Sequence, residues 1–358
     1  MTWRVRLGIC IEDAWRYMGL SPPPSIRIPH ILKVQTSSRA SRIKEALEKI
    51  RPHRRIASLD SATGLAELLK ESGIRRLRFW LQWSFIQPKL TLQSAEPRYD
   101  WLAMDDFVKT LKGSGIKLFP VVGCGYQRML PQGVYPAADP DSYIRAVSEF
   151  TREAVARYKR VVDMWQIENE PNWWFAHYLA GWRSGHVWIG YRPKFRKALI
   201  SSLSEAVSAE DGNALTVINL EADRSLRDLD FYARYCDVLG LDYYPNYSHA
   251  RPVDASGLVP KARKVSEETG KRVIVCETGY PSGPALLGFD QTLQSLYIER
   301  LREALRGESV VEELYVWRLS DPGWKSFPDH ENHFGLLDGE GKPKRSWWPF
   351  ISWVKEAD

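Results

Sequence analysis

The sequence predicts an α/β protein, a single (β/α)8 TIM barrel spanning residues 1–358, on three observations. Short apolar, β-rich runs alternate with helix-period segments through most of the chain, the pattern of a parallel sheet with crossover helices. Eight such runs occur, and from the second onward their spacing fits barrel closure better than an open doubly wound sheet. No G-x-G-x-x-G or other Gly-rich phosphate loop follows the first run, which removes the main support for a nucleotide-binding sheet.

Taken in order, the first strand is predicted at 3–11. Residues 14–60 follow it, far longer than an ordinary βα connection, with Pro22-Pro23-Pro24 and an amphipathic stretch, Arg42–Ile50. This segment reads as a long, basic first βα loop on the face that carries the site; a first strand near Arg55–Leu59 is the competing assignment. The helix Ala62–Ser72 then leads to a strand at 74–82, Trp101–Lys112 to 116–123, Ser142–Arg160 to 161–169, and Lys194–Ala209 to 214–219. A strand at 237–243 comes next, Pro260–Thr269 leads to 271–277, Gln291–Arg306 leads to 311–318, and Ser346–Glu356 ends the pattern. Gly or charged turns close several of the helices.

Composition narrows the function classes. Hydrophobic residues make up 44% of the chain, enough for a large core. The first residues are charged where a signal peptide needs its apolar centre, and no run approaches a membrane span, so a soluble, cytoplasmic protein is expected. The net charge of +6 is local: residues 26–55 carry nine Lys/Arg against Glu45 and Glu48, and the rest of the chain is near neutral. Without a binding motif beside it, that patch reads as a solvated helix face, and neither nucleic acid nor membrane is expected as a partner. Cys10, Cys124, Cys236 and Cys276 lie far apart, as buried reduced thiols do, and the seven histidines form no ligand pattern. No metal and no organic cofactor is expected.

Two strands end on carboxylates. Trp165-Gln166-Ile167-Glu168-Asn169-Glu170-Pro171-Asn172 finishes the fourth, and Val273-Ile274-Val275-Cys276-Glu277-Thr278-Gly279-Tyr280-Pro281 finishes the seventh. An apolar strand has no structural reason to end in Glu before Pro or Thr-Gly. Alternate residues of a strand face opposite sides, so Val273, Val275 and Glu277 share one face and Gln166, Glu168 and Glu170 share another. Closure into one barrel lets Glu170 and Glu277 project into one pocket at the carboxyl-end rim, where barrel enzymes carry their chemistry.

At these residues the chain resembles the large clan of (β/α)8 glycoside hydrolases with catalytic glutamates at the ends of strands 4 and 7. Asn169-Glu170-Pro171 matches the clan's strand-4 motif, and Glu277 falls at the strand-7 end. The resemblance implies a retaining β-glycosidase in which Glu170 is the general acid/base and Glu277 the nucleophile. It further implies that Asn169 binds the sugar 2-hydroxyl, which requires the strand end to bend. Arg78 is similar to the strand-2 Arg that clamps the nucleophile, Tyr244 to the strand-6 Tyr that bonds it, and Trp317 to the strand-8 aromatic under the sugar. The short matches around Leu241–Pro245 and Cys276–Pro281 look like endo-β-1,4-galactanases and, in part, β-1,3-glucanases, and the strand-4 run like members acting on mannans, xylosides and glucans.

Two other carboxylates need placing. Glu168 shares the Glu170 face one layer deeper, and is expected to pair with Arg78 rather than to act as an acid. Asp242 either binds a sugar hydroxyl or pairs locally. Trp173, Trp174, Phe175, Tyr178, Trp182, Trp188 and Tyr191 crowd the segment after Pro171, and sugar rings stack their C–H faces on such aromatics. Trp173 and Trp174 are the candidates for sugar contact, while Trp347, Trp348 and Trp353 at helical spacing are expected in the core. The expected partner is a carbohydrate substrate; a transglycosylase on the same site, or a non-catalytic carbohydrate-binding barrel, are the alternatives.

Overall fold

A computed structural model describes residues 4–20, 61–88, 99–123, 129–134, 136, 139–172, 193–223, 226, 228–322 and 330–357. Eight parallel strands close into a barrel in sequence order: β1 (Arg6–Ile11), β2 (Arg76–Trp80), β3 (Lys117–Val122), β4 (Met164–Ile167), β5 (Leu215–Glu221), β6 (Val238–Tyr243), β7 (Arg272–Thr278) and β8 (Val311–Val316). Every predicted strand overlaps an observed one, and β1 is the 3–11 candidate rather than 55–59. The helices are α1 (Ala14–Tyr17), α2 (Ala62–Glu71), α3 (Trp83–Ile86), α4 (Leu102–Gly113), α5 (Pro140–Tyr158), α6 (Pro193–Glu210), α7 (Leu229–Arg234), α8 (Leu258–Thr269), α9 (Gln291–Ala304) and α10 (Trp347–Ala357). The short α1, α3 and α7 carry too few turns for a periodic signal, which is why the sequence does not announce them.

Strands buried on both sides read as near-continuous apolar runs, and the two sides have distinct partners here. Leu77, Phe79, Trp165, Ile167, Leu239, Leu241, Val273, Val275, Leu314 and Val316 face outward into the shell between strands and helices. Cys10, Trp80, Val121, Val217, Val238, Ile274, Cys276 and Tyr315 fill the barrel interior. At the amino-end rim the interior is sealed by charge: Arg6 and Arg76 pair with Glu313, and Arg6 and Arg272 pair with Glu312.

Helix ends follow local chemistry. Ser61 caps α2 through Gly64 N–H, Asp139 caps α5 through Ser142 N–H with Pro140 in the first turn, and Asp290 caps α9 through Thr292 and Leu293. Gly270, at φ 66°, ends α8 in the left-handed conformation that an L side chain resists. In α10, Trp347 and Trp353 are buried as expected, but Trp348 is 63% exposed because it lies on the opposite side of the helix. No helix among the described residues is long and apolar enough to cross a membrane. Cys10, Cys236 and Cys276 are buried free thiols; Cys124, most of the long first loop including the basic 26–55 segment, and the Trp173–Tyr191 aromatics lie outside the described residues.

Candidate active site

Glu277 reaches the pocket by a route the alternation rule does not contain. Val273 and Val275 face outward, so strict parity would turn Glu277 into the helical shell. The β6–β7 register shifts instead: Leu241 lies opposite Val275 but Asp242 opposite Glu277, which makes Cys276 an inserted residue. This β-bulge leaves both Cys276 and Glu277 facing inward, in keeping with the use of bulges to re-aim a side chain at a strand end. The shared face expected for Val273, Val275 and Glu277 is therefore corrected: Glu277 turns inward, onto Arg78 and Tyr244.

Both oxygens of Glu277 are held. Arg78 Nη1 donates to Oε1 at 2.6 Å, and Tyr244 Oη donates to Oε2 at 2.8 Å. The Arg78 guanidinium is almost fully buried; Nε donates to Gln166 Oε1 at 2.7 Å, Nη2 to Asn169 Oδ1 at 3.2 Å, and Cζ lies 5.1 Å from the Trp80 ring centroid. Burial opposes the charge of Arg78, but the neighbouring Glu277 and further acidic groups outweigh it and hold the guanidinium above its already high ordinary value. Burial and then the Glu277 charge push the Tyr244 phenol well above its usual range, so it stays a donor.

At β4 the expected bend is present. The strand stops at Ile167, and Glu168 and Glu170 take φ of 56° and 44°, a left-handed backbone rare for side chains of this size. Such strain persists only where surroundings over-determine it, and here they do. Gln166 Nε2 donates to the Glu168 carbonyl at 2.9 Å, Glu168 Oε1 accepts from Asn169 N–H at 2.9 Å, and Asn219 Oδ1 accepts from Glu170 N–H at 3.0 Å. The turn brings Asn169 inward, its Oδ1 accepting from Arg78, Gln166 and Asn219. The expected partnership of Glu168 with Arg78 is replaced: Gln166 occupies Arg78 Nε, and Glu168 braces the turn.

Glu170 is buried, and that burial, then the charges of Glu277 and Glu221, raises its carboxyl well above the ordinary range. Asp242 is fully buried on β6 with Asn219 Nδ2 donating to its Oδ2 at 2.5 Å, so it sits beneath the rim, paired with protein. Trp317 follows β8 and joins the interior cluster with Trp80, against which Tyr244 packs; the Trp317 backbone N–H donates to the Thr278 carbonyl at 2.8 Å. Tyr244, Tyr247 and Phe334 form one wall, with Tyr244 and Phe334 edge to face at 5.6 Å.

The structure thus brings together Arg78, Asn169, Glu170, Asp242, Tyr244, Glu277 and Trp317, while Trp173 and Trp174 lie outside the described residues. Sequence reading missed Asn219, whose amide links β4, β5 and β6. A lone Asn inside the apolar run Leu215–Leu220 was the available signal, since a polar group buried in a strand needs partners. Gln166 and Glu221 were missed for the same reason.

No protein-family model and no curated protein matches the sequence. Solved structures do match in shape. A β-glycosidase, BGL167, superposes with a TM-score of 0.60 at 14% identity, over 83% of this chain and 86% of that one. A family 39 glycoside hydrolase from the gut symbiont Bacteroides cellulosilyticus WH2 gives 0.62 at 18% identity, over 98% and 64%. A GH5_18 variant from Bifidobacterium longum subsp. longum, solved with Manβ1-4GlcNAc, gives 0.62 at 14% identity, over 84% and 74%. This chain therefore has the (β/α)8 barrel fold found in these glycoside hydrolases.

Proposed function

We propose that the protein is a retaining β-glycoside hydrolase, with Glu277 as nucleophile and Glu170 as general acid/base. The observation that carries this reading is the asymmetry of the two carboxyls. Glu277 is gripped on both oxygens by Arg78 and Tyr244, while Glu170, buried and near that negative charge, is pushed toward its protonated form. Paired carboxyls in opposite states are what double displacement requires, one to attack the anomeric carbon and one to protonate the departing oxygen.

In the first step a Glu277 oxygen bonds to the anomeric carbon as the glycosidic C–O bond breaks, and the Glu170 proton passes to the leaving oxygen. In the second, Glu170 takes a proton from water, whose oxygen displaces the Glu277 ester. Asn169, with its Oδ1 engaged by Arg78, Gln166 and Asn219, meets the sugar 2-hydroxyl through Nδ2. Trp317 offers the sugar an apolar face, and Trp173 and Trp174 are the further candidates for sugar stacking. Asp242, sequestered beneath the rim, is a support for this pocket rather than a sugar ligand. The long first βα loop is proposed as a wall of the same pocket, since β1 ends at the rim where α1 begins. A sugar hydroxyl in place of water makes the same site a transglycosylase.

The Manβ1-4GlcNAc bound in one structural neighbour puts β-mannosides first among substrates to try. The test is turnover of aryl β-glycosides and of mannan, galactan, xylan and β-glucan oligosaccharides, with Glu277→Gln alongside. Cleavage of one class that disappears in the variant is expected; equal turnover by the variant would remove Glu277 from the mechanism. Glu170→Ala is expected to slow poor leaving groups most, with azide restoring turnover as a β-glycosyl azide; an α-azide would mean inversion.

A further inference from the structure

β6 delivers a second buried carboxyl to the acid/base position. The oxygens of Asp242 have unlike surroundings: Oδ2 accepts from Asn219 Nδ2 at 2.5 Å, whereas Oδ1, fully buried, meets no N–H or hydroxyl donor among the described residues. The carboxyl of Glu170 lies close enough to that of Asp242 for the two side chains to hydrogen-bond. Two carboxyl groups hydrogen-bond only when one of them carries a proton. Asn219 holds the pair in register, donating to Asp242 with Nδ2 while its Oδ1 accepts the Glu170 backbone N–H at 3.0 Å.

Resting on the retaining-glycosidase reading, we propose that Glu170 and Asp242 form a dyad sharing one proton, in which Asp242 is a positioning residue that keeps the acid/base loaded at neutral pH. The groups around the dyad favour that state. Glu277 on β7 and Glu221 on β5 face Glu170 with like charge, against Arg78 on β2. Asp242 feels the charges of Glu277, Glu170 and Arg78, and the thiols of Cys10 and Cys276 and the Tyr244 phenol feel its own. Burial first, and then Glu277, raises both carboxyls, and two interacting carboxyls titrate as a pair rather than singly.

The charge also balances through the covalent step. As a Glu277 oxygen bonds to the sugar it loses its negative charge, and as the dyad's proton moves to the leaving oxygen the dyad gains one. The buried site beside Arg78 therefore keeps a constant net charge, which avoids the cost of an extra unpaired charge in a low-dielectric pocket.

Asp242→Asn is the informative change, because the amide keeps the shape and can still accept from Asn219 while turning an N–H toward Glu170. That donor favours Glu170 as an anion. With poor leaving groups, the alkaline limb of kcat/KM is expected to move toward acid by about one pH unit or more. A fall in kcat at every pH with the limb unmoved would make Asp242 merely structural and overturn the dyad. Infrared difference spectroscopy reads the same proton without turnover. The protonated-carboxyl C=O band of the wild-type chain at neutral pH is expected to vanish in both Asp242→Asn and Glu170→Gln. A band that survives either substitution, or that is absent from the wild type, would show that no proton is shared. A wild-type chain that cleaves no glycoside would defeat the glycosidase reading, and the infrared measurement would still decide the dyad.

Discussion

Arg78 sets the charge balance around Glu277, for it pairs with that carboxylate and is buried with it. Taking two charges out of water is costly, and removing one partner leaves the other uncompensated. Arg78→Met is expected to lose about 3–5 kcal/mol in urea unfolding as well as activity. Glu170 behaves in the opposite sense. Its folded-state carboxyl is raised above its unfolded value, so its contribution to stability is full below the unfolded value of about 4.3 and declines as pH climbs toward the raised one. Glu170→Gln removes that decline. The variant is expected to melt at higher temperature than wild type at pH 8 and to show little advantage at pH 4; an equal advantage at both would mean that Glu170 is not held protonated. A buried carboxyl that costs stability is the trade expected of the acid/base role proposed for Glu170.

At the scale of elements, the ends of β4 and β7 carry the site, and each departs from regular strand geometry to do so. The β7 bulge fits because position 240 on the neighbouring strand has no side chain: a Cβ there would lie 2.4 Å from Cys276 Sγ. Gly240→Ala is expected to destabilise by about 1–3 kcal/mol, the usual cost of overpacking. Cys276→Ala should recover part of it, so a double-mutant cycle on urea midpoints should show coupling between the two positions. Gly279 plays the same part toward β8, where a Cβ would come 2.2 Å from the Trp317 carbonyl oxygen. Backbone cannot yield as a flexible side chain does, so Gly279→Ala is expected to displace Trp317 and raise KM for any glycoside turned over, with far-UV circular dichroism unchanged.

At the scale of the molecule, the barrel closes where β8 pairs with β1, Arg6 opposite Glu313 through Ile9 opposite Val316. α10 supports that seam, burying Trp347, Phe350, Ile351, Trp353 and Val354. At about 1.5–3 kcal/mol per buried large apolar side chain, those five are comparable with the whole net stability of a typical domain, about 5–15 kcal/mol. Truncation after Ser346 is therefore expected to abolish cooperative unfolding and near-UV dichroism. A truncated chain with a wild-type urea transition would show that the barrel closes without its last helix.

Eight strands in order, most of the long helices and the two carboxylate-bearing strand ends are legible in the sequence, because each depends on local pattern: apolar runs, helical period, and a carboxylate followed by Pro or Thr-Gly where a buried strand has no use for one. The partners of Glu277 were legible only through resemblance, since Arg78, Tyr244 and Glu277 are far apart in the chain and spacing does not bring them together. What only the tertiary structure decided is the direction of the side chains at the rim. Alternation is a rule of regular strands, and it fails where β7 bulges at Cys276 and where Glu168 and Glu170 adopt left-handed backbone. Both departures are set by neighbours that meet through closure: the bare position at Gly240, and the amides of Gln166 and Asn219. The chain's local chemistry determined that two carboxylates reach one rim, and packing across the closed barrel determined how they face and what each one touches.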